Sequence, residues 1–375
     1  MLIIYSIFSI VLIIGYLFIV LAYMFYWNLL KKWDIPSNNS FQTKVSLIIA
    51  ARNEAENIKE CLEAVLAQTY PRVLLDIWVV NDHSEDATAA IVNSFQEEHL
   101  HLLNLPEGKT GKKQAIQMAI KQSKGTLIVT TDADCVMGKD WLKYLLSYYE
   151  EHQSKLIAAP VSFHKENSTF ERFQTLDFMG MMAVSGAGIK GRFMNMSNGA
   201  NLTYERAAFE AVGGFEGIDH LASGDDMLLM QKIAKKYPTE IGYLKNRQAQ
   251  TLTQAKPTIQ TFLQQRTRWA SKSSAYTNWQ TLAILTIVWV LCLSMLVDFL
   301  LIPYDYVFLY WFLFKFIAKG FADFFFLGMM TLFFDRPQLM RAFIPALFFH
   351  WWYIVVVGFL GNFKKRYEWK GRNVR

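Results

Sequence analysis

The residues of this chain able to do chemistry come in four groups, met in order: Asp82, Asp132-Ala133-Asp134, Asp225-Asp226, and Gln265-Arg266-Thr267-Arg268-Trp269. Alternate residues on a strand share a face, so Asp132 and Asp134 can together hold a hard divalent cation or a sugar. Such a cation offsets the negative charge that builds up as a diphosphate departs. Two adjacent acids at a helix start are kept ionised by the macrodipole, and an ionised carboxylate can take a proton from a hydroxyl. Asp226 is therefore the candidate base. A guanidinium forks onto phosphate oxygens, which gives Arg268 a purpose next to Trp269. A lone D-x-D arises by chance in a chain this long, and a lone R-W pair says nothing. The order of the groups, enclosed between membrane-length apolar segments, implies a membrane-bound enzyme handling a nucleotide-activated substrate.

Each group needs an element to hold it. Residues from about Lys44 to Thr253 alternate β-rich runs with helical stretches. Strands are expected at Val45–Ala50, Leu75–Val80 and Thr126–Thr131, with a short run at His101–Leu105. Helices are expected at Glu54–Gln68, Glu85–Phe95, Lys112–Gln122, Glu205–Val212 and Met227–Lys235. Strands alternating with helices imply βαβ units in one open sheet, and in such sheets ligands gather at the carboxyl ends of strands. Asp82 and the D-x-D fall at those ends. There Asp82 can accept hydrogen bonds from a base imide or a ribose hydroxyl, with helix capping as the plain alternative.

Other candidates follow from position. Ala51-Arg52-Asn53-Glu54 closes the first strand, so Arg52 and Glu54 are candidates for a nucleotide-contacting turn or for an ordinary helix cap. The run Gly108-Lys109-Thr110-Gly111-Lys112-Lys113 lacks the spacing and hydroxyl of a phosphate loop. Glycines beside lysines before a helix still suit an anion-contacting turn, with Lys112 as the contact. Ser197-Asn198-Gly199-Ala200-Asn201 is small and polar, which lets a sugar approach the backbone closely or simply makes a turn. Asn198, Gly199, Asp225 and Trp269 thus form the candidate acceptor or sugar pocket. Cys135 beside the D-x-D reads as packing, since hard cations prefer oxygen.

The ends of the chain bound its setting. No charge occurs from Leu2 to Leu30, which is long enough to cross a bilayer as a retained anchor, and Lys31-Lys32 after it favours a cytoplasmic exit. Thr281–Pro303 and Ala342–Phe363 are further spans. Tyr304–Phe334 carries Lys315, Lys319 and Asp323 on one helical face, which reads as a Lys-Asp pair turned into the bundle or as a cationic contact for a lipid phosphate. The formal net charge is +6, and the last dozen residues hold six bases against Glu368, so the remainder is nearly neutral. That distribution disfavours nucleic-acid binding and points the tail at a cytoplasmic leaflet. A cytoplasmic domain followed by three full spans would leave this tail outside, so residues 304–334 are expected to be re-entrant or interfacial. The expected domains are an anchor at 1–30, a linker at 31–43, a cytoplasmic catalytic domain at 44–256, an amphipathic interfacial segment at 257–280, membrane segments at 281–363 and a basic tail at 364–375.

Taken together, the residues resemble the membrane-embedded glycosyltransferases of family 2, in which D, D-x-D, an acidic pair ending in the catalytic Asp, and Q-x-x-R-W occur in this order. Asp82, Asp132 and Asp134, Asp226, and Gln265 with Arg268 and Trp269 match those positions, and Asp225 stands where the family more often has Glu. The resemblance implies a GT-A fold, a UDP-sugar donor, inversion at the anomeric carbon and a cytoplasmic active site. It gives Asp134 to Mg²⁺ or Mn²⁺, Asp132 to ribose or sugar, Asp82 to uridine and Asp226 to the acceptor hydroxyl. Lys113-Gln114-Ala115 and Trp369-Lys370-Gly371-Arg372 look like lipid-directed enzymes similar to ceramide glucosyltransferase, so a lipid or glycan acceptor at the membrane is expected. The alternatives are a polysaccharide-elongating synthase of the same family and a nucleotidyl- or phosphosugar-transferase. From another class comes a transporter or receptor, which leaves the acidic series unexplained.

Overall fold

The computed structural model describes residues 2–219, 221, 224–276 and 278–363, with backbone also for 367–369 and 372–374. The side chains of the basic tail lie outside the described residues. In chain order the first elements are α1 (Leu2–Leu29), β1 (Val45–Ala51), α2 (Ile58–Leu66), β2 (Leu75–Asn81), α3 (Thr88–Ser94), β3 (Leu100–Asn104), α4 (Lys112–Gln122) and β4 (Leu127–Asp132). There follow β5 (Val136–Met137), α5 (Trp141–His152), β6 (Leu156–Ala158), β7 (Val161–His164), α6 (Thr169–Gly191), β8 (Leu202–Glu205), α7 (Arg206–Ala211) and α8 (Met227–Lys236). The last are β9 (Ile241–Tyr243), β10 (Thr251–Gln254), α9 (Ile259–Ala270), α10 (Trp279–Leu301), α11 (Val307–Phe333) and α12 (Phe343–Phe363). They divide into an α/β unit, residues 30–164 and 195–254, and a helical unit, residues 2–29, 165–194 and 255–363.

The α/β unit is built on a seven-stranded sheet in the order β3-β2-β1-β4-β8-β6-β9. A run such as Val45-Ser46-Leu47-Ile48-Ile49 is apolar at nearly every position because both its faces are covered. Val45, Leu47 and Ile49 share a core with Ile58, Cys61, Leu62 and Val65 of α2 and with Trp141, Leu142 and Leu145 of α5. Ile48 and Ile128, pointing the other way, are equally buried. The first four strands pair in parallel, β1 with β2 and β4, and β2 with β3. The sheet as a whole is mixed, as expected: β8 runs antiparallel to both β4 and β6. The register aligns Ala50 with Asp132 on one side of β1 and Ala51 with Asn81 on the other. Asp82 and the D-x-D therefore leave the sheet at the same edge.

The helical unit contains α1, α10 and α11, together with Pro337–Asn362, all long and apolar enough to cross a membrane. Residues 165–194, with α6, belong to this unit and not with the strands on either side of them in sequence. The α6 face of Phe173, Leu176, Phe178, Met179 and Met182 is buried, and at Gly180 an added Cβ would come within 3.2 Å of Leu327 on α11. Of the two expectations for residues 304–334, re-entrant or interfacial, the re-entrant one does not fit α11, which is one unbroken helix of 27 residues with no reversal inside it.

The charges inside this unit are paired, as burial in an apolar surrounding demands. Lys315 lies 2.8 Å from Asp298 Oδ2, both with 0% side-chain exposure, and Tyr5 donates to Asp298 Oδ1. One turn further, Lys319 pairs with Asp323, which also accepts from Tyr16. The pairing into the bundle is the reading that holds, and Asp298 is the partner that the spacing on α11 could not reveal. Removing one member of a buried pair strands the other charge. Asp298→Ala is expected to destabilise the helical unit by about 3–5 kcal/mol. The double change Asp298→Leu with Lys315→Met should recover most of that loss. Melting of the detergent-solubilised proteins compares them, and an unshifted Asp298→Ala transition would contradict the pairing.

Candidate active site

β4 carries the D-x-D off the sheet: Asp132 is its last residue and Asp134 lies in the turn that follows. One ligand atom each from Asp132, Asp134 and Cys135 lies within 4.8 Å of the others. The two carboxylates are hard donors reachable from solvent, and they fit a cation such as Mg²⁺ or Mn²⁺. Cys135 does not fit one. Burial first, then the charges of Asp134 and Asp132, push its thiol well above the ordinary value. It stays protonated and points its S–H at Asp134 Oδ1, 3.6 Å away.

Lys112, at the start of α4, joins this group to the acidic pair. Its Nζ lies 2.6 Å from Asp132 Oδ1 and 3.0 Å from Asp225 Oδ2. Burial pulls an ammonium down, but the charges of Asp132 and Asp225 outweigh it and hold Lys112 well above the lysine value of 10.5. By linkage, a raised lysine gives stability that is full below about 10.5 and fades only as pH rises through the higher folded value. The cation is therefore constant through neutral pH. Asp226 adjoins the same cluster and adds to the field on Lys112. It caps α8, accepting from Met227 N at 2.6 Å and from Gly199 N at 3.2 Å.

The small polar loop packs against these charges. A Cβ at Gly199 would lie 2.8 Å from Lys112 Nζ and 3.0 Å from Asp225 Oδ2, so only glycine fits there without moving the ammonium. Asn198 Oδ1 accepts from Ala200 N and shapes the turn. The hydroxyls of Thr130 and Thr131 on β4 donate to Gly199 O and Ala200 O. Asn201, wholly buried, donates to Pro160 O and Ala249 O and accepts from Trp141 Nε1. Thr130 and Thr131 are positioning residues that motif reading missed, their signal being two adjacent hydroxyls in the strand that leads into the D-x-D, and Asn201 closes the small polar loop already singled out.

Arg52, Glu54 and Asp82 do more structural work than expected. Arg52 is 6% exposed and donates to Asp82 O and His83 O at 2.9 and 2.6 Å and to Glu85. Its guanidinium holds the end of β2. Glu54 accepts from Asn57 Nδ2 and takes part in the turn into α2. Asp82, 2% exposed, accepts from Gly111 N at 2.9 Å and so fixes the turn that launches Lys112. That turn needs glycine, because Gly111 has φ +96°.

The Q-x-x-R-W residues lie on α9 in the helical unit, where Gln265, Arg268 and Trp269 are half-buried. The buried charge of α9 is Arg266, between the motif's fixed positions. It pairs with Asp177 on α6 at 2.8 Å and lies over the Trp269 ring at 4.5 Å. Tyr353 of α12 donates to the other Asp177 oxygen. Trp269 also packs against Phe178. Arg266 thus sets the indole's orientation through a cation–π contact.

Three carboxylates around one ammonium, with Asp134 beside Asp132, leave an excess of negative charge that a cation would complete, and Lys112 competes for Asp132. Lys112→Met is expected to tighten binding of Mn²⁺ alone roughly tenfold, from the loss of a nearby positive charge. Calorimetric titration of the two proteins measures it, and unchanged affinity would place the cation elsewhere.

The chain has relatives among known proteins. Residues 46–213 match glycosyl transferase family 2. Glycosyltransferase AglE of Haloferax volcanii is 32% identical over 186 residues, 49% of this chain and 59% of that protein. The poly-beta-1,6-N-acetyl-D-glucosamine synthase of Staphylococcus epidermidis is 24% identical over 171 residues, 45% of this chain and 41% of the synthase. The aligned part therefore spans less than two thirds of either relative. Among solved structures, the mannosyltransferase PcManGT from Pyrobaculum calidifontis, in complex with GDP-Man and Mn²⁺, matches with a TM-score of 0.56. The match covers 94% of this chain and 95% of that one at 19% identity, a likeness of fold. Residues 46–213 are thus similar to glycosyl transferase family 2 domains, and the fold is GT-A.

Proposed function

We propose that the chain is an inverting glycosyltransferase that moves a hexose from a UDP-sugar to a hydroxyl of a lipid or other membrane-associated acceptor at the cytoplasmic face. The observation that carries this reading is the Lys112 bridge, which draws Asp132 of the D-x-D and Asp225 of the acidic pair to one point beside Asp226. Four helices of membrane-crossing length support the membrane setting. The lipid-directed reading rests on the resemblance at Lys113-Gln114-Ala115.

In this mechanism Asp226 takes the proton of the acceptor hydroxyl as its oxygen attacks the anomeric carbon. A new glycosidic C–O bond forms, the bond from the anomeric carbon to the diphosphate oxygen breaks, and the nucleoside diphosphate leaves with the electron pair. One displacement inverts the centre. Asp134 would hold a divalent cation, which would offset the negative charge building on the departing diphosphate. Lys112 turns its ammonium to the diphosphate, and Asp132 contacts ribose or sugar. Asp82 contacts the uridine and fixes the turn that carries Lys112. Asn198 and Gly199 border the sugar with Asp225. Gln265, Arg268 and Trp269 keep the donor and acceptor roles that the resemblance gives them.

Asp226→Asn is expected to bind UDP as the unaltered chain does and to lose transfer by about 10²- to 10⁴-fold. Unchanged turnover would remove Asp226 from the base role. Asp134→Ala should weaken cation-supported donor binding itself. The donor and acceptor are tested by incubating the full chain in membranes with labelled UDP-glucose, UDP-galactose, UDP-N-acetylhexosamines and GDP-mannose, then separating lipid extract from polymer. Label in the lipid extract with release of UDP supports the proposal. UMP release would mark a phosphosugar-transferase, and long polymer would favour the elongating alternative, to which the staphylococcal synthase lends weight.

A further inference from the structure

The segment before the acidic pair, residues 212–224, has no helix or strand among its described residues, yet it must deliver Asp225 and Asp226 to the cluster. Gly213, Gly214, Gly217 and Gly224 all have positive φ, so its path is one that side-chain-bearing residues resist. Within it there are turn hydrogen bonds, Glu216 N to Gly213 O, Ile218 N to Phe215 O and Leu221 N to Ile218 O, and lysines tie it to its surroundings. Lys236 donates to Ala211 O, and Lys232 donates to Gly214 O and Glu216 O. Lys113 donates to Ile218 O at 2.7 Å and to Leu221 O at 2.5 Å.

Lys113 stands apart from the other two. Lys232 and Lys236 reach out from α8, the helix that follows the segment, whereas Lys113 comes from α4 and crosses 105 positions of sequence to Ile218. Its side chain is 5% exposed in a place where an ammonium is stable only if its donors are met. Its neighbour Lys112 holds the Asp225 side chain from the same helical turn. The first turn of α4 thus grips the acidic pair twice, at a carboxylate through Lys112 and at the preceding backbone through Lys113.

Resting on the proposed glycosyl transfer, we infer that Lys113 is a positioning residue for Asp226: it fixes the backbone at Ile218 and Leu221 so that the base stands against the acceptor hydroxyl. It touches neither substrate nor reacting atoms. A misplacement of the base near 1 Å costs about 10²-fold in rate. Lys113→Met, which keeps the stem and removes the donors, should therefore lose about 10²-fold in kcat, with the donor KM and UDP affinity within about threefold. Lys113→Arg, which restores donors on a longer arm, should recover part of the loss. Lys232→Met, acting on the remote limb of the segment, should lose less than Lys113→Met.

The test uses the full chain in detergent and adds hydrogen–deuterium exchange across 212–226, which reads backbone positioning without reference to activity. Faster exchange confined to this segment in Lys113→Met, together with the fall in kcat, supports the inference. Unchanged exchange overturns it, as does a kcat equal to that of the unaltered chain, or an equal loss in Lys232→Met. Should Lys113→Met not fold, Lys113→Gln, whose shorter arm cannot reach both carbonyls, carries the same readouts, and unaltered exchange and kcat there overturn it. If the unaltered chain transfers sugar from no donor, the proposed function falls, and the exchange measurement alone then decides for or against Lys113.

Discussion

The site depends on one ammonium set between carboxylates that would otherwise repel. Asp132 closes β4 and Asp225 precedes α8, nearly a hundred positions apart, and Lys112 lies within 3.0 Å of both. Everything upstream serves to place that lysine. Arg52 at the end of β1 holds the carbonyls at the end of β2, Asp82 takes the amide of Gly111, and Gly111 turns the chain into α4. His83 contributes a contact from its ring Nε2 to Lys109 O at 3.0 Å. Residues that a motif reading assigns to the ligand are thus also links in a relay that builds the pocket. The two roles are compatible, because a backbone fixed in this way is what gives a polar site its preorganisation.

The helical unit solves an opposite problem with the same means. In the α/β unit an excess of acid is gathered where solvent and a cation can reach it. Among the helices, charge is buried and every described acid of the set is matched: Asp298 with Lys315, Asp323 with Lys319, Asp177 with Arg266. Tyr5, Tyr16 and Tyr353 complete the carboxylates as donors. Pairs of this kind fix which helix faces which, since a slip by one residue would leave an unpaired charge in an apolar surrounding.

Much of the architecture was legible because it is written in local pattern. The apolar runs at Val45, Leu75 and Leu127 became β1, β2 and β4, and the acids after them fell at strand ends as the alternation of strands and helices required. The spans at both ends were visible from length alone. What stayed hidden is nonlocal. No periodicity joins Lys315 to Asp298, Arg266 to Asp177 or Lys113 to Ile218, because each partner sits on a different element and its neighbours give no sign. β8 and β6 are strands of four and three residues, too short for alternation to emerge. α6 gives no local sign of its place until Gly180 is seen to admit Leu327 and Phe326 of α11.

The central claim is that the separated acids meet on a diphosphate and its cation. Electron paramagnetic resonance of Mn²⁺ added to the full chain with UDP tests it directly, since a metal bonded to the diphosphate shows hyperfine coupling to phosphorus. The account predicts that coupling in the unaltered chain and its loss in Asp134→Ala. A bound Mn²⁺ with no phosphorus coupling, or coupling that survives Asp134→Ala unchanged, would contradict it.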